Sequence, residues 1–275
     1  MNGNMPQTLL TDTRTPGFRG ALTLMLRPHF SPFRIFIARQ QRTVVVLNPK
    51  VGTTSFRYVV GRAYREVFGR KDLSNGRYKL FPKARQFPFP PLRDYLHAFS
   101  HPDHYQFYCF VRNPYARLKS AWGDKLAFGH ESGYPPSIRG KIVEDIQHFA
   151  REKGLPGGQT ETALPFSTFV AYIEAQQTGK RNHHWDEQYS ILFMDIIRYS
   201  QIFKMENEFA LGMKVVLARL KVPEPWIEEA LAQPRNESRK VNEAVFTPEL
   251  AIRVQHIFEK DFSAFGYDTN SWQGM

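Results

Sequence analysis

A loop that leaves a buried strand, opens a helix and carries Lys, Gly and hydroxyl side chains can hold an anion. Pro49-Lys50-Val51-Gly52-Thr53-Thr54-Ser55 has that composition. Such a loop aims unpaired N–H groups and the positive end of the helix dipole at one spot. Gly52 permits a sharp turn and close backbone approach, Thr53, Thr54 and Ser55 offer hydroxyls, and Lys50 adds a point charge. Together they describe a phosphate or sulfate cradle. A capped helix N-terminus with a surface lysine uses the same residues and is the competing reading. The loop is not of the Walker A type, because neither Gly140-Lys141 nor Gly179-Lys180 is followed by Ser or Thr. The magnesium-holding arrangement of ATP chemistry is therefore not expected.

A second stretch, Phe110-Val111-Arg112-Asn113-Pro114-Tyr115-Ala116-Arg117-Leu118-Lys119-Ser120-Ala121-Trp122, places Arg112 at the end of an apolar run. The ends of buried strands are where α/β sheets gather ligands. Ser120 falls about two turns into the helix that follows, close enough to share a small anion with Arg112. A planar guanidinium suits phosphate better than a lysine does. The alternative is an arginine paired with a carboxylate, with Ser120 an ordinary helix residue.

His184 and then His183, beside Trp185, have the right chemistry for a general base. A histidine packed on Trp185 is the other reading of each, and Glu131, Glu187 or a residue in 85–104 are further candidates. His97, His101 and His104 have a metal-like spacing, but Pro102 interrupts the helix that would align them, and no metal is expected.

These residues need a scaffold. Thr43-Val44-Val45-Val46-Leu47 and Tyr105-Gln106-Phe107-Tyr108-Cys109-Phe110-Val111 read as strands buried on both faces, and 201–205 as a third, shorter one. Helical spacing follows each of the first two, from Phe56 to Val67 and from Tyr115 to Leu126. Further helices are expected near 92–99, at 142–150 closed by Gly154, from Ser167, from Asn207 to Leu220, and from Thr247-Pro248-Glu249 to about Phe262. Strands alternating with helices predict an α/β fold with a mainly parallel sheet. Residues 1–20 read as a loose arm within a lead-in spanning 1–42, and 43–275 as one domain.

With 275 residues and 42% hydrophobic content, the chain can bury a core, and global disorder is excluded. Its 37 Lys+Arg against 26 Asp+Glu give a net charge of +11, which points to an anionic partner. The lone cysteine, Cys109, forbids an internal disulfide or a CxxC site. No apolar run approaches a membrane span and no signal peptide is recognisable, so a soluble, cytoplasmic protein is expected, with peripheral membrane contact left open. Asn236-Glu237-Ser238 fits a glycosylation sequon that matters only in a secreted chain. Ten basic residues between 57 and 93 (Arg57, Arg62, Arg65, Arg70, Lys71, Arg77, Lys79, Lys83, Arg85, Arg93) read equally as a solvated surface or as a groove for an acidic acceptor.

Taken together, PKVGTTSF followed by FVRNPYARLKSAW resembles the sulfotransferases that use PAPS (3′-phosphoadenosine 5′-phosphosulfate). The resemblance is nearest to the carbohydrate branch with the chondroitin 4-O- and HNK-1-type enzymes, whose loops read approximately PKVACTN and VRxPFERLxSAY. Phe166–Ile173, Asn182-His183-His184-Trp185, Ile202–Asn207 and Lys260–Tyr267 resemble further segments of that family in the same order, so the resemblance spans about 43–268. The paired cysteines that the family carries after its HW segment are absent, as is its N-terminal anchor, which fits a soluble bacterial-type relative.

The resemblance implies a P-loop-like parallel sheet flanked by helices and a donor, PAPS, leaving as PAP. It places the 5′-phosphosulfate on residues 49–55, with Pro49 and Val51 supplying backbone and Lys50 neutralising the bridging oxygen. It places the 3′-phosphate on Arg112 and Ser120. The acceptor it implies is a hydroxyl of a glycan or glycolipid, with no stable nucleic-acid partner. A basic nucleic-acid-binding protein and an ATP-dependent small-molecule kinase are the rival readings.

Overall fold

The run Thr43-Val44-Val45-Val46 forms strand β2 (Thr43–Val46), with every residue buried. Burial on both faces is what an uninterrupted β-branched run requires. The computed structural model describes residues 17–66, 90–127, 136–158, 164–232 and 245–275. Within them, β2 pairs in parallel with β3 (Gln106–Val111), and β3 pairs in parallel with β4 (Gln201–Lys204). A short first strand, β1 (Ile35–Ala38), adds antiparallel to the free side of β2, with Ile35 opposite Val46. The sheet order is β1-β2-β3-β4.

Period-two alternation sends side chains to two cores. Val45, Tyr108 and Phe110 join one, under α2 (Thr53–Glu66), α8 (Met205–Arg219) and α9 (Glu224–Ala232). Val44, Val46, Phe107, Cys109 and Val111 join the other, under α1 (Gly17–Met25) and α3 (Leu92–Ser100). A third cluster unites α4 (Pro114–Trp122), α5 (Pro136–Lys153), α6 (Phe166–Glu174), α10 (Pro248–Ile257) and α11 (Glu259–Phe265) around Tyr115, Phe169, Trp185 and Phe258. The expected α/β architecture, a largely parallel sheet flanked by helices, is the observed one.

Several local expectations are corrected. Residues 17–25 are helical and Ala21 and Leu24 are buried, so the lead-in enters the fold well before 43. The short run Ile35-Phe36-Ile37-Ala38, flanked by Arg34 and Arg39, was not expected as a strand. It forms an edge strand whose antiparallel pairing needs only the turn at 39–42. Helix α8 starts at Met205 rather than at Asn207, because the Glu208 carboxylate reaches back 2.7 Å to the N–H of Lys204 and secures an earlier start. Ser167 lies inside α6, with Pro165 in the cap position. The C-terminal helix starts as expected, Thr247 accepting the Leu250 N–H at 3.3 Å, but divides at Phe258 into α10 and α11. Gln188–Ile191 form the short helix α7, which was not anticipated from the sequence. Among the described residues, no helix is long and apolar enough to cross a membrane.

Candidate active site

Two residues beyond the end of β2 stands Asn48, whose buried side-chain amide donates to the Phe110 carbonyl at 3.2 Å and to Gln188 Oε1 at 2.7 Å. The same Gln188 oxygen accepts the Arg112 N–H at 2.9 Å, while its Nε2 donates to the Arg112 carbonyl at 2.8 Å. A residue of α7 thereby locks the ends of β2 and β3 together. These are the strand ends that launch the two loops singled out by sequence.

The Pro49–Ser55 loop is held in an unusual conformation. Lys50 and Gly52 both have left-handed backbones, with φ of 68° and 66°. For a lysine this costs about 1 kcal/mol or more and persists only where surrounding structure enforces it. At Gly52 no side chain fits, because a Cβ there would lie 2.2 Å from Cε2 of Phe209. The Thr53 hydroxyl donates to the Asn48 carbonyl at 2.7 Å and so closes the loop, a structural use beyond the ligand donor expected of it. Thr54 is exposed and Ser55 half-buried in the first turn of α2, Pro49 and Val51 are buried, and the helix N-terminus opens here.

Lys50 extends to Asp124, with Nζ 2.9 Å from Oδ2. Burial lowers its pKa below the ordinary lysine value, with Arg112 and Arg117 adding repulsion, while Asp124 works in the opposite direction. Asp124 stands in a single π-helical turn, Gly123–Ala127, that continues α4, a distortion frequent at functional sites.

Arg112 reaches the same loop, its Nη1 donating to the Lys50 carbonyl at 3.3 Å. Burial lowers its pKa and Glu206 counters that effect. The two loops picked out by sequence thus meet in space. Ser120 is half-buried on α4.

A residue unassigned by sequence connects this pair to the histidine segment. Arg117 is fully buried, and its guanidinium donates to the carbonyls of Pro49 (3.3 Å), Asp186 (2.7 Å) and His183 (3.2 Å). Burial pushes its pKa down to about 10. His184 is half-buried, its N–H bound to Asn182 Oδ1 at 3.0 Å, and its ring centroid is 4.3 Å from that of the exposed His183. Asp186 is anchored in turn by His29, whose Nε2 approaches Oδ2 at 2.6 Å. The segment 182–188 is therefore fastened to the anion loop by Arg117 and to both strand ends by Gln188.

Glu187, the carboxylate alternative for a base, is buried, and Oε2 has no hydrogen-bond partner among the described residues. Burial, followed by repulsion from Asp261, pushes its pKa up to about 7. The charges around it come from Asp261, Lys260, Arg181 and Asp186 rather than Lys50. His97, His101 and His104 form a stack with centroids 4.9 and 5.7 Å apart, and Nδ1 of His97 is engaged by the Tyr105 hydroxyl at 2.9 Å. Of the basic residues in 57–93, Arg57 donates to the Phe33 carbonyl and Arg93 is exposed beside Asp94. Arg70, Lys71, Arg77, Lys79, Lys83, Arg85 and Glu131, and the Asn236 sequon, lie outside the described residues.

Asn48, Arg117, Asp124 and Gln188 were not singled out as site residues by sequence reading. Arg117 and Asp124 sit within or just after the second motif, which was the available signal. Gln188 offered none, because its partners are distant in the chain.

The model of the sulfotransferase family matches residues 33–268, and the chain belongs to that family. Relatives include carbohydrate sulfotransferase 12 of Xenopus laevis, 27% identical over 175 residues covering 59% of this chain and 40% of that protein. Carbohydrate sulfotransferase 11 of Rattus norvegicus is 24% identical over 61% of this chain and 48% of its own length. Carbohydrate sulfotransferase 8 of Homo sapiens is 21% identical over 85% of this chain and 55% of its own. The chain spans about half the length of these relatives. No solved structure matches it. Members of the family generally take PAPS as donor. The site suits so anionic a molecule: two half-buried cations, Lys50 and Arg112, adjoin a helix N-terminus and a glycine turn that no side chain can fill.

Proposed function

We propose that this chain transfers a sulfuryl group from PAPS to a hydroxyl of a carbohydrate or glycolipid. The observation that carries the reading is the Arg112–Lys50 contact, which brings the candidate 3′-phosphate and 5′-phosphosulfate loops to one site. The backbone of 50–55, with Thr54 and Ser55, holds the 5′-phosphate. Arg112 and Ser120 hold the 3′-phosphate, the group that separates PAPS from ATP. Lys50 stabilises negative charge on the bridging oxygen as its bond to sulfur breaks. His184 accepts the acceptor hydroxyl proton, with Glu187 as the alternative base. The lysine and arginine supply the positive charge that a metal would otherwise provide. The family match gives no support to the nucleic-acid and kinase readings.

Calorimetry with 3′,5′-ADP against ADP tests the assignment. Preferential binding of the 3′-phosphorylated ligand, lost in Arg112→Ala, is the expected outcome. Equal or absent binding of 3′,5′-ADP by the unsubstituted protein overturns it. Acceptor screening with labelled PAPS then identifies the hydroxyl.

A further inference from the structure

The lead-in segment ahead of β1 is clasped to the far side of the histidine segment at two points. Arg27 pairs with Asp195, and the buried ring of His29 meets Asp186, Nε2 standing 2.6 Å from Oδ2. A carboxylate oxygen can only accept, so the ring nitrogen facing it carries a proton. The turn that presents His29 is itself fixed. The Phe30 N–H bonds the Arg27 carbonyl at 2.9 Å, and the Phe30 ring stands edge-on to Tyr95 with centroids 6.2 Å apart.

Asp186 is wholly buried and joins several elements. Its Oδ1 accepts the Glu187 N–H at 2.9 Å and lies 3.8 Å from Nη1 of Arg181, while its carbonyl accepts from Arg117 at 2.7 Å. Arg181 is tied in turn to the Ile173 and Gln176 carbonyls at the end of α6. Arg117 holds the His183 carbonyl beside that of Asp186, and also the Pro49 carbonyl next to Lys50. Both candidate bases are close by in the chain, His184 two residues before Asp186 and Glu187 one after. A well-packed apolar pair is often as stabilising as a buried ionisable one, so stability alone does not call for His29 and Asp186. What the contact fixes is where Asp186 sits.

We propose that His29 is a positioning residue for sulfuryl transfer: through Asp186 it sets the segment bearing His184 and Glu187 against the Lys50 loop. The role is the same whichever of the two takes the acceptor proton, and it rests on the sulfotransferase reading. His29 precedes residues 33–268, so the family match does not extend to it.

The test compares two amides. His29→Gln puts its nitrogen where Nε2 stands, whereas His29→Asn, one methylene shorter, stops at the level of Nδ1 and falls short of Asp186. His29→Leu, which keeps the bulk and removes the donor, is a second disruption. Binding of 3′,5′-ADP to the unsubstituted protein is measured first by calorimetry, and its absence overturns the proposed function itself. All three variants should keep that affinity, because Arg117 still holds the Pro49 carbonyl. The ring Cε1–H NMR resonance of His184, assigned with His184→Ala, should move in His29→Asn and His29→Leu and return in His29→Gln. Turnover of labelled PAPS, with the acceptor found by screening, should fall about tenfold or more in the first two with KM for PAPS held, as misplacement of a reacting group does. His29→Gln should recover most of it. An unmoved His184 resonance in the disrupted variants, a His29→Gln that behaves as they do, or a loss confined to melting temperature or to 3′,5′-ADP affinity each overturns the proposal.

Discussion

The ammonium of Lys50 stands 2.9 Å from the carboxylate of Asp124, so the cation proposed for the sulfuryl end of the site is already paired with a residue of a π-helical turn. In its proposed role Lys50 must be charged to stabilise a leaving oxygen, yet burial favours its neutral form, and Asp124 offsets that tendency. Asp124→Asn should therefore lower the Lys50 pKa further. Because the protonated lysine is the active form, the alkaline limb of the rate profile should move to lower pH. Turnover near pH 9 should fall more than turnover near pH 7, with 3′,5′-ADP affinity changed by about tenfold at most. A pH–rate profile of the variant decides this, and an unmoved alkaline limb would refute the coupling.

Gly52 combines a left-handed backbone with the ring of Phe209 in the place a Cβ would take. Gly52→Ala incurs both backbone strain and an overlap that the ring must move to relieve. The expected loss is about 1–3 kcal/mol of stability, read by urea unfolding, with a larger loss of 3′,5′-ADP affinity because the loop itself is displaced. Phe209→Ala in the same chain should recover part of the stability but not the part due to φ.

How much of this could be read beforehand depends on the range of the interactions. The Pro49–Ser55 loop was legible as a candidate anion site because all its ingredients lie within seven consecutive residues after an apolar run. The Thr247 cap was legible for the same reason, its partner lying three residues away. Arg112 was legible only from its place after an apolar run, its partners Lys50 and Gln188 being distant in the chain. β1 escaped notice because it is four residues long and between arginines. The Asp124–Lys50 pair, the three carbonyls on Arg117 and the clamp of Gln188 join segments 60 or more residues apart, and no local spacing encodes them. Propensity finds elements and motifs. The polar fasteners between them follow from topology.

Arg117 is the strongest of those fasteners. It is fully buried, and its guanidinium serves Pro49, Asp186 and His183 at once. Arg117→Met leaves three carbonyls without that donor and should cost about 3–5 kcal/mol, as removal of one partner from a buried polar network typically does. Arg117→Lys should rescue little, since a single ammonium cannot reproduce the planar fork. Because Arg117 joins the anion loop to the segment bearing His184, surviving folded protein should bind 3′,5′-ADP more weakly. Urea denaturation with and without 3′,5′-ADP separates the two effects, and near-normal stability of Arg117→Lys would refute the fork requirement.

Glu187 and His184 make opposite predictions about the base. The Glu187 carboxyl is pushed from 4.5 up to about 7, so the folded state holds its proton more tightly than the unfolded chain does. Its linkage therefore lowers stability as pH rises between those two values. Glu187→Gln removes that penalty and should melt a few degrees higher at pH 8, with the gain vanishing below pH 4.5. If His184 is the base, this more stable variant retains turnover, while His184→Ala loses about 10²-fold or more with donor affinity intact. If Glu187 is the base, Glu187→Gln gains stability and loses turnover together, and the acid limb of the unsubstituted enzyme falls near pH 7. Melting curves and pH–rate profiles of the two variants assign the proton to one residue.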